Sequence, residues 1–386
     1  MEKGTETSIN LPLRVLFVSH AYVVGMNQGK LKAIAEAGIE VGLLVPSNWQ
    51  AREWNRSMPV ETPYKKIRIF ARPVVFSGRG GAHMYNPWHV WQILTDFKPD
   101  LVQVEQEVFS LCAFELAILS RITNKPLIVF GWENMQRRLP LIRKLTCQFV
   151  LNTASFLIPG NQEGEKVLRQ WGYQGSLAVM PQIGVDTHLF TPDLVKRDRQ
   201  QFNIGFLGRL VPEKGIELLL SALQGLVNRG FKCHLILCGS GSQEKTLRQQ
   251  AKALKIENCV SWQEAIPHQE APAIISQFDV LVLPSRTIDT WKEQFGHVLI
   301  EAMAMGIPVI GSTCGEIPNV IQHDELIFPE EDVKELIAIL ERMIRDQDWQ
   351  YEMGQHGITM VQENYSHQRI AKRLIGLWKL VCEQAD

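Results

Sequence analysis

Asp279-Val280-Leu281-Val282-Leu283-Pro284-Ser285-Arg286, then Glu293-Gln294-Phe295-Gly296-His297-Val298-Leu299-Ile300-Glu301-Ala302-Met303-Ala304-Met305-Gly306-Ile307-Pro308-Val309-Ile310-Gly311, is the stretch that decides the fold. Residues 279–283 form a short apolar run stopped by a proline, as a buried parallel strand would be. Residues 295–305 are rich in helix formers. Gly306 and Pro308 stop that helix, and Ile307 to Ile310 begin another strand. The reading is strand, loop, helix, strand.

Two glutamates stand eight positions apart in this stretch. Glu293 precedes the helix and Glu301 lies inside it, both near the carboxyl edge of a parallel sheet, where open α/β sheets bind ligands. A carboxylate there can accept from vicinal sugar hydroxyls. The first amides of the helix, at Phe295, Gly296, His297 and Val298, can donate to a sugar or phosphate. An amphipathic helix with a solvated glutamate at each end would show the same spacing. Glu-x-Phe-Gly, the glutamate eight residues on, and Ala-Met-Ala-x-Gly-x-Pro-Val-Ile resemble retaining glycosyltransferases of family 4. The resemblance implies a GT-B fold: two Rossmann-like, doubly wound parallel-sheet domains facing across a cleft.

Composition agrees with two ordinary domains. The chain has 386 residues, 45% apolar and 21% charged, with net charge −1. That balance excludes a strongly basic nucleic-acid binder. Residues 1–190 hold 20 Lys/Arg against 15 Asp/Glu, and the remainder 20 against 26. A basic first half suits an anionic partner such as a membrane surface. Seven scattered cysteines without a C-x-x-C point to a reducing compartment and away from a zinc site or disulfide framework. No apolar run reaches membrane-spanning length. A cytoplasmic protein, peripheral to the inner face of the membrane, is the expectation.

In the first half, residues 13–19 read as a strand, followed by a loop holding Gly25, a helix over 30–36 and a strand over 39–45. Further strands are expected at 66–70, 100–104, 126–130, 156–158 and 177–180. Strands alternating with helices imply a parallel sheet. The resemblance assigns Gly25 to the loop that approaches the donor diphosphate. Related enzymes often carry histidine after the strands ending at Val104 and Phe130. This chain instead has Glu105 and Glu107 at the first place and Trp132-Glu133 at the second. Glu133 is the candidate catalytic group there, and Glu105 and Glu107 are acceptor-side candidates; solvated loop carboxylates are the alternative. Residues 137–145, Arg-Arg-Leu-Pro-Leu-Ile-Arg-Lys-Leu, form a basic amphipathic stretch suited to an anionic membrane or to packing on its own domain. Residues 181–192 resemble the link that closes the first domain in this family, and 196–201 read as the interdomain linker.

The second half opens with a strand over 202–207 running into Gly208-Arg209-Leu210-Val211-Pro212-Glu213-Lys214-Gly215. An arginine fork and a lysine five residues on suit a diphosphate whose charge grows as its bond to the sugar breaks. This motif also matches the family. Gly239 and Gly241 follow the strand 233–238, and Ser242 can cap the next helix. The resemblance puts Gly208, Gly239, Gly241 and Ile266 near the nucleotide, Glu293 on the transferred sugar and Glu301 on the ribose. It implies Arg209, Lys214 and Glu293 as catalytic groups, no metal and no cofactor.

The expected organisation is an acceptor-binding domain over 1–190, a donor-binding domain over 202–365, and a final helix over 366–386 crossing back to the first. The expected activity is retaining transfer of a sugar from a nucleotide-sugar donor to a glycan or glycolipid hydroxyl, in polysaccharide or glycolipid synthesis. Two rivals remain: a sugar-nucleotide epimerase on the same architecture, and a glycosyltransferase-like subunit that binds donor without turnover.

Overall fold

The computed structural model describes residues 12–51, 56–195 and 201–384. The expected linker falls almost wholly outside them. Two six-stranded parallel sheets organise the chain. The first contains β1 (Arg14–Val18), β2 (Glu40–Pro46), β3 (Ile67–Arg72), β4 (Leu101–Glu105), β5 (Leu127–Gly131) and β6 (Phe156–Pro159), in the order β6-β5-β4-β1-β2-β3. The second contains β7 (Phe202–Leu207), β8 (Cys233–Cys238), β9 (Val260–Gln263), β10 (Val280–Leu283), β11 (Val309–Ser312) and β12 (Ile327–Phe328), in the order β9-β8-β7-β10-β11-β12. Each order reverses once, at β1/β4 and at β7/β10. Strand connections diverge there and leave a crevice at the carboxyl edge.

The apolar strand runs follow from burial on both faces. In β1, Val15 and Phe17 face one core and Leu16 and Val18 the other. The C-terminal helix His367–Glu383 enters the first of these cores through Ile370, Leu374 and Trp378. Its entry runs beside the link out of the first sheet: Val185 N donates to Tyr365 O at 2.9 Å and His367 N to Val185 O at 3.3 Å.

Three local expectations differ from the structure. Residues 177–180 form no strand and carry a single bridge, Leu157 to Leu177. The amphipathic stretch expected over 137–145 is helical only from Leu141, in a helix over Leu141–Thr153 with Pro140 as its N-cap. A residue before proline avoids the helical region, so Leu139 belongs to the approach. The helix expected from Phe295 runs over His297–Ala304, because Gly296 is its N-cap at φ 83, in the left-handed region glycine tolerates.

His367 ties the C-terminal helix to the start of the helix Gly29–Glu36, packing on Gly29. Burial pushes its pKa down to about 4. Unfolded, it binds a proton near 6.5, so below that pH the unfolded state takes up a proton the folded state refuses. Stability on this account is lost as pH falls from 6.5 towards 4. We predict that His367→Asn costs about 2 kcal/mol less, relative to wild type, at pH 5 than at pH 7.5 in urea denaturation. A penalty independent of pH would refute this.

Candidate functional site

A cavity of about 380 Å³ opens at the β7/β10 switch point. Its walls come from the loop after β7 (Gly208, Arg209, Lys214), the stretch Glu293–Val298, and Trp132 from the first domain. The fold therefore brings Gly208, Arg209, Lys214, Glu293, Phe295, Gly296, His297 and Val298 to one place.

Lys214 and Glu293 are ion-paired there, both side chains largely buried. The same Glu293 oxygen accepts from Ser285 Oγ at 2.8 Å. Arg209 is half-exposed, 3.8 Å from Glu213. Among the described residues, no protein acceptor takes the amide protons of Phe295 or Gly296. Burial holds the His297 imidazole below its ordinary pKa. The site thus combines a cation held beside a carboxylate, a second cation facing outward, and unengaged amides. Such a set can hold a diphosphate and hydroxyls together.

The Glu293 loop is also clasped from the first domain. Lys292 Nζ pairs with Glu163 at 2.8 Å. Asn134 Nδ2 donates to Glu293 O at 3.3 Å, and Gln294 Nε2 to Trp132 O at 3.1 Å. Glu301 points into a second cavity of about 220 Å³, which shares His297 with the first and is lined also by Met26, Asn27 and Gly184. Glu301 is not free: His268 Nε2 lies 2.7 Å from its carboxylate, and this bond raises the His268 pKa.

Several candidates lie elsewhere. Gly25 is buried, with its amide donating to Glu61 at 2.7 Å, and its neighbours Met26 and Asn27 line the cleft instead. Gly239 and Gly241 pack on the loop after β7: an added methyl would stand 1.8 Å from Gly208 O and 2.3 Å from Leu210 O, respectively. Their smallness lets two loops of the protein touch. Ile266 packs against the second core, and Ser242 makes no cap, since the next helix starts from Gln243. Glu133 turns back to Arg137 and the Met135 amide. Glu107 accepts from the amides of Trp132 and Glu133 at 2.8 and 3.3 Å, fixing that loop. Burial pushes Glu107 up to about 7, against the pull of the Trp132 amide.

Glu105 is the largest correction. It is 3% exposed, within the first domain rather than on the cleft. It accepts from Lys30 Nζ at 2.6 Å, Gln103 Nε2 at 2.8 Å and Gln182 Nε2 at 2.9 Å, and from the Tyr22 hydroxyl. Gln182 in turn accepts from Trp132 Nε1 at 2.9 Å. Trp132, Gln182, Ser285, Gln294 and His268 bond to the candidate site residues or to one another, and the sequence alone did not single them out. Only Trp132 and Gln294 stood beside residues already singled out.

The solved structure of the Anabaena protein Alr3699/HepE in complex with UDP superposes with TM-score 0.71 at 19% identity, covering 95% of this chain and all of that one. The fold is GT-B. Residues 193–360, which span most of the C-terminal domain, match the family "Glycosyl transferases group 1". Among curated proteins, a GDP-mannose-dependent alpha-(1-6)-phosphatidylinositol monomannoside mannosyltransferase of Mycobacterium tuberculosis is 30% identical over 53% of this chain; the chain spans only 56% of that relative. The putative colanic acid biosynthesis glycosyltransferase WcaL of Escherichia coli is 25% identical, over 74% of this chain and 72% of its own length.

The burial of Glu105 makes a clear prediction. Lys30→Met leaves an uncompensated buried carboxylate and should cost about 3–5 kcal/mol in denaturant unfolding. Truncating Glu244, whose pair with Arg248 is exposed on both sides, should cost under about 1 kcal/mol. Equal costs would contradict the assignment of Glu105 to the protein's interior.

Proposed function

We propose that the protein is a retaining glycosyltransferase of family 4, moving a sugar from a nucleoside-diphosphate sugar to a hydroxyl of a glycan or glycolipid. The supporting observation is the meeting of Arg209, Lys214, Glu293 and the unengaged amides in one interdomain cavity. Arg209 and Lys214 hold the diphosphate, Glu293 takes hydroxyls of the transferred sugar, and Glu301 takes ribose hydroxyls. The bond from the anomeric carbon to phosphate breaks while the acceptor oxygen bonds to that carbon on the same face. The acceptor proton passes to the departing phosphate oxygen. This route uses no protein nucleophile, so the lack of histidine in the loops that follow β4 and β5, at 105–107 and 131–134, is compatible with turnover. Fixed cations offset the growing phosphate charge, and the proposal includes no metal.

That lack of histidine favours one second reading, a subunit that binds donor without turnover. Donor incubated without acceptor separates the two: slow release of free sugar supports the transferase, and binding alone supports the subunit. The protein acts at the inner face of the membrane, with residues 137–145 in peripheral contact.

A thermal-shift panel with GDP-mannose and UDP-glucose tests the donor site. A ligand at a hundredfold its Kd adds about 2.7 kcal/mol, so one donor should raise Tm in wild type and lose that effect in Arg209→Ala. A shift unchanged in the variant would remove Arg209 from the site. Turnover should survive chelation by EDTA, and NMR of the product should show the donor's anomeric configuration.

A further inference from the structure

Two stretches of the first half contain no acidic residue, 62–95 and 134–162, and between them they hold nine Lys and Arg. Eleven large apolar side chains are exposed among the described residues. Six of them lie in these two stretches: Val75, Phe76, Trp88, Leu141, Ile142 and Leu145. Leu141 and Ile142 are 73% and 75% exposed, at the start of a helix that buries Thr146, Cys147, Val150 and Leu151 further on. Phe76, 57% exposed, sits in the turn of the hairpin that pairs Val74–Val75 with Met84–Tyr85. The two stretches touch: a methyl added at Gly81 would stand 3.1 Å from the Arg143 guanidinium. Apolar exposure clustered this way, with cations interspersed and acids missing, marks an interaction surface.

We infer that this face docks on an anionic lipid bilayer. Phe76, Leu141, Ile142 and Leu145 enter the boundary between headgroups and acyl chains, while Arg79, Arg138, Arg143 and Lys144 meet lipid phosphates. A protein partner would be recognised by a buried centre depleted of charge. Here nine cations are interspersed with the apolar side chains along the two acid-free stretches, which suits a surface of diffuse negative charge. The hairpin turn and the helix start supply two shallow anchors, and stable peripheral binding takes more than one. The inner side of the same hairpin adds a consequence, which rests on the transferase reading. Gly78 and Gly80 line a cavity of about 450 Å³ with His20, Trp49 and Asn27, and Asn27 also lines the cavity that holds Glu301. A lipid-borne acceptor headgroup would reach the cleft without leaving the membrane surface.

Co-sedimentation with vesicles tests the docking. The full chain should sediment with phosphatidylcholine vesicles containing roughly one third phosphatidylglycerol, and less so as salt rises. It should not sediment with phosphatidylcholine alone. Removing one cation, as in Arg138→Gln or Lys144→Gln, should lower the partition about fivefold. Phe76→Ser and Ile142→Ser should each lower it severalfold at unchanged Tm, since both side chains are exposed. Equal binding to neutral vesicles, no binding to anionic ones, or full binding by Phe76→Ser would overturn the inference. So would a dimer in sedimentation equilibrium that Ile142→Ser dissolves. Vesicle binding is read without donor or turnover, so its failure leaves the transferase reading standing, and failure of donor binding leaves the docking standing.

Discussion

One buried carboxylate connects the parts of the molecule that share no sheet. Glu105 takes hydrogen bonds from Lys30, Tyr22, Gln103 and Gln182 inside the first domain. A buried ion pair is tolerable when its remaining lone pairs are satisfied, and here they are. The charge also sets the direction of its neighbours. Gln103 and Gln182 must each turn an amide NH₂ towards Glu105, which leaves their carbonyl oxygens facing away. Gln103 Oε1 then accepts from Trp378 Nε1 at 2.8 Å, in the C-terminal helix. Gln182 Oε1 accepts from Trp132 Nε1, whose ring packs on Phe295 and His297 across the cleft. A single ion pair thereby orients the last helix on one side and the wall of the cavity on the other.

The sheet strands were legible because burial on both faces leaves continuous apolar runs between glycine and proline. The loop 208–215 and the stretch 293–301 were legible because their chemistry is local in sequence. What escaped is long-range. Lys214 meets Glu293 across 79 residues, Gln182 meets Glu105 across 77, and Gln294 meets Trp132 across 162. No local pattern distinguishes the buried Glu105 from the loop-capping Glu107 two residues on. Neighbours from other elements decide, with Lys30 waiting for one and only backbone amides for the other. His268 beside Glu301 is the same case. Glycines misled for a related reason. At Gly239 and Gly241 the backbone approach that glycine permits is made by the protein itself, through the loop after β7.

Pairing also shapes what the cleft can select. Among the described residues, the loops at the carboxyl edge of the second sheet carry Lys214, Arg286 and Lys292, each already matched with a glutamate. An anion entering this cleft meets engaged cations rather than an open basic patch. A bare phosphate can take a second donor of the Lys214 ammonium, but it then sets its own negative charge beside the Glu293 carboxylate, which is 7% exposed, with nothing to donate to it. A sugar phosphate exchanges both halves of the pair at once, its phosphate with Lys214 and its hydroxyls with Glu293. On the proposed reading, the ion pair therefore discriminates an intact donor from the spent nucleotide. Arg209, exposed and only distantly paired, is left to attract either one.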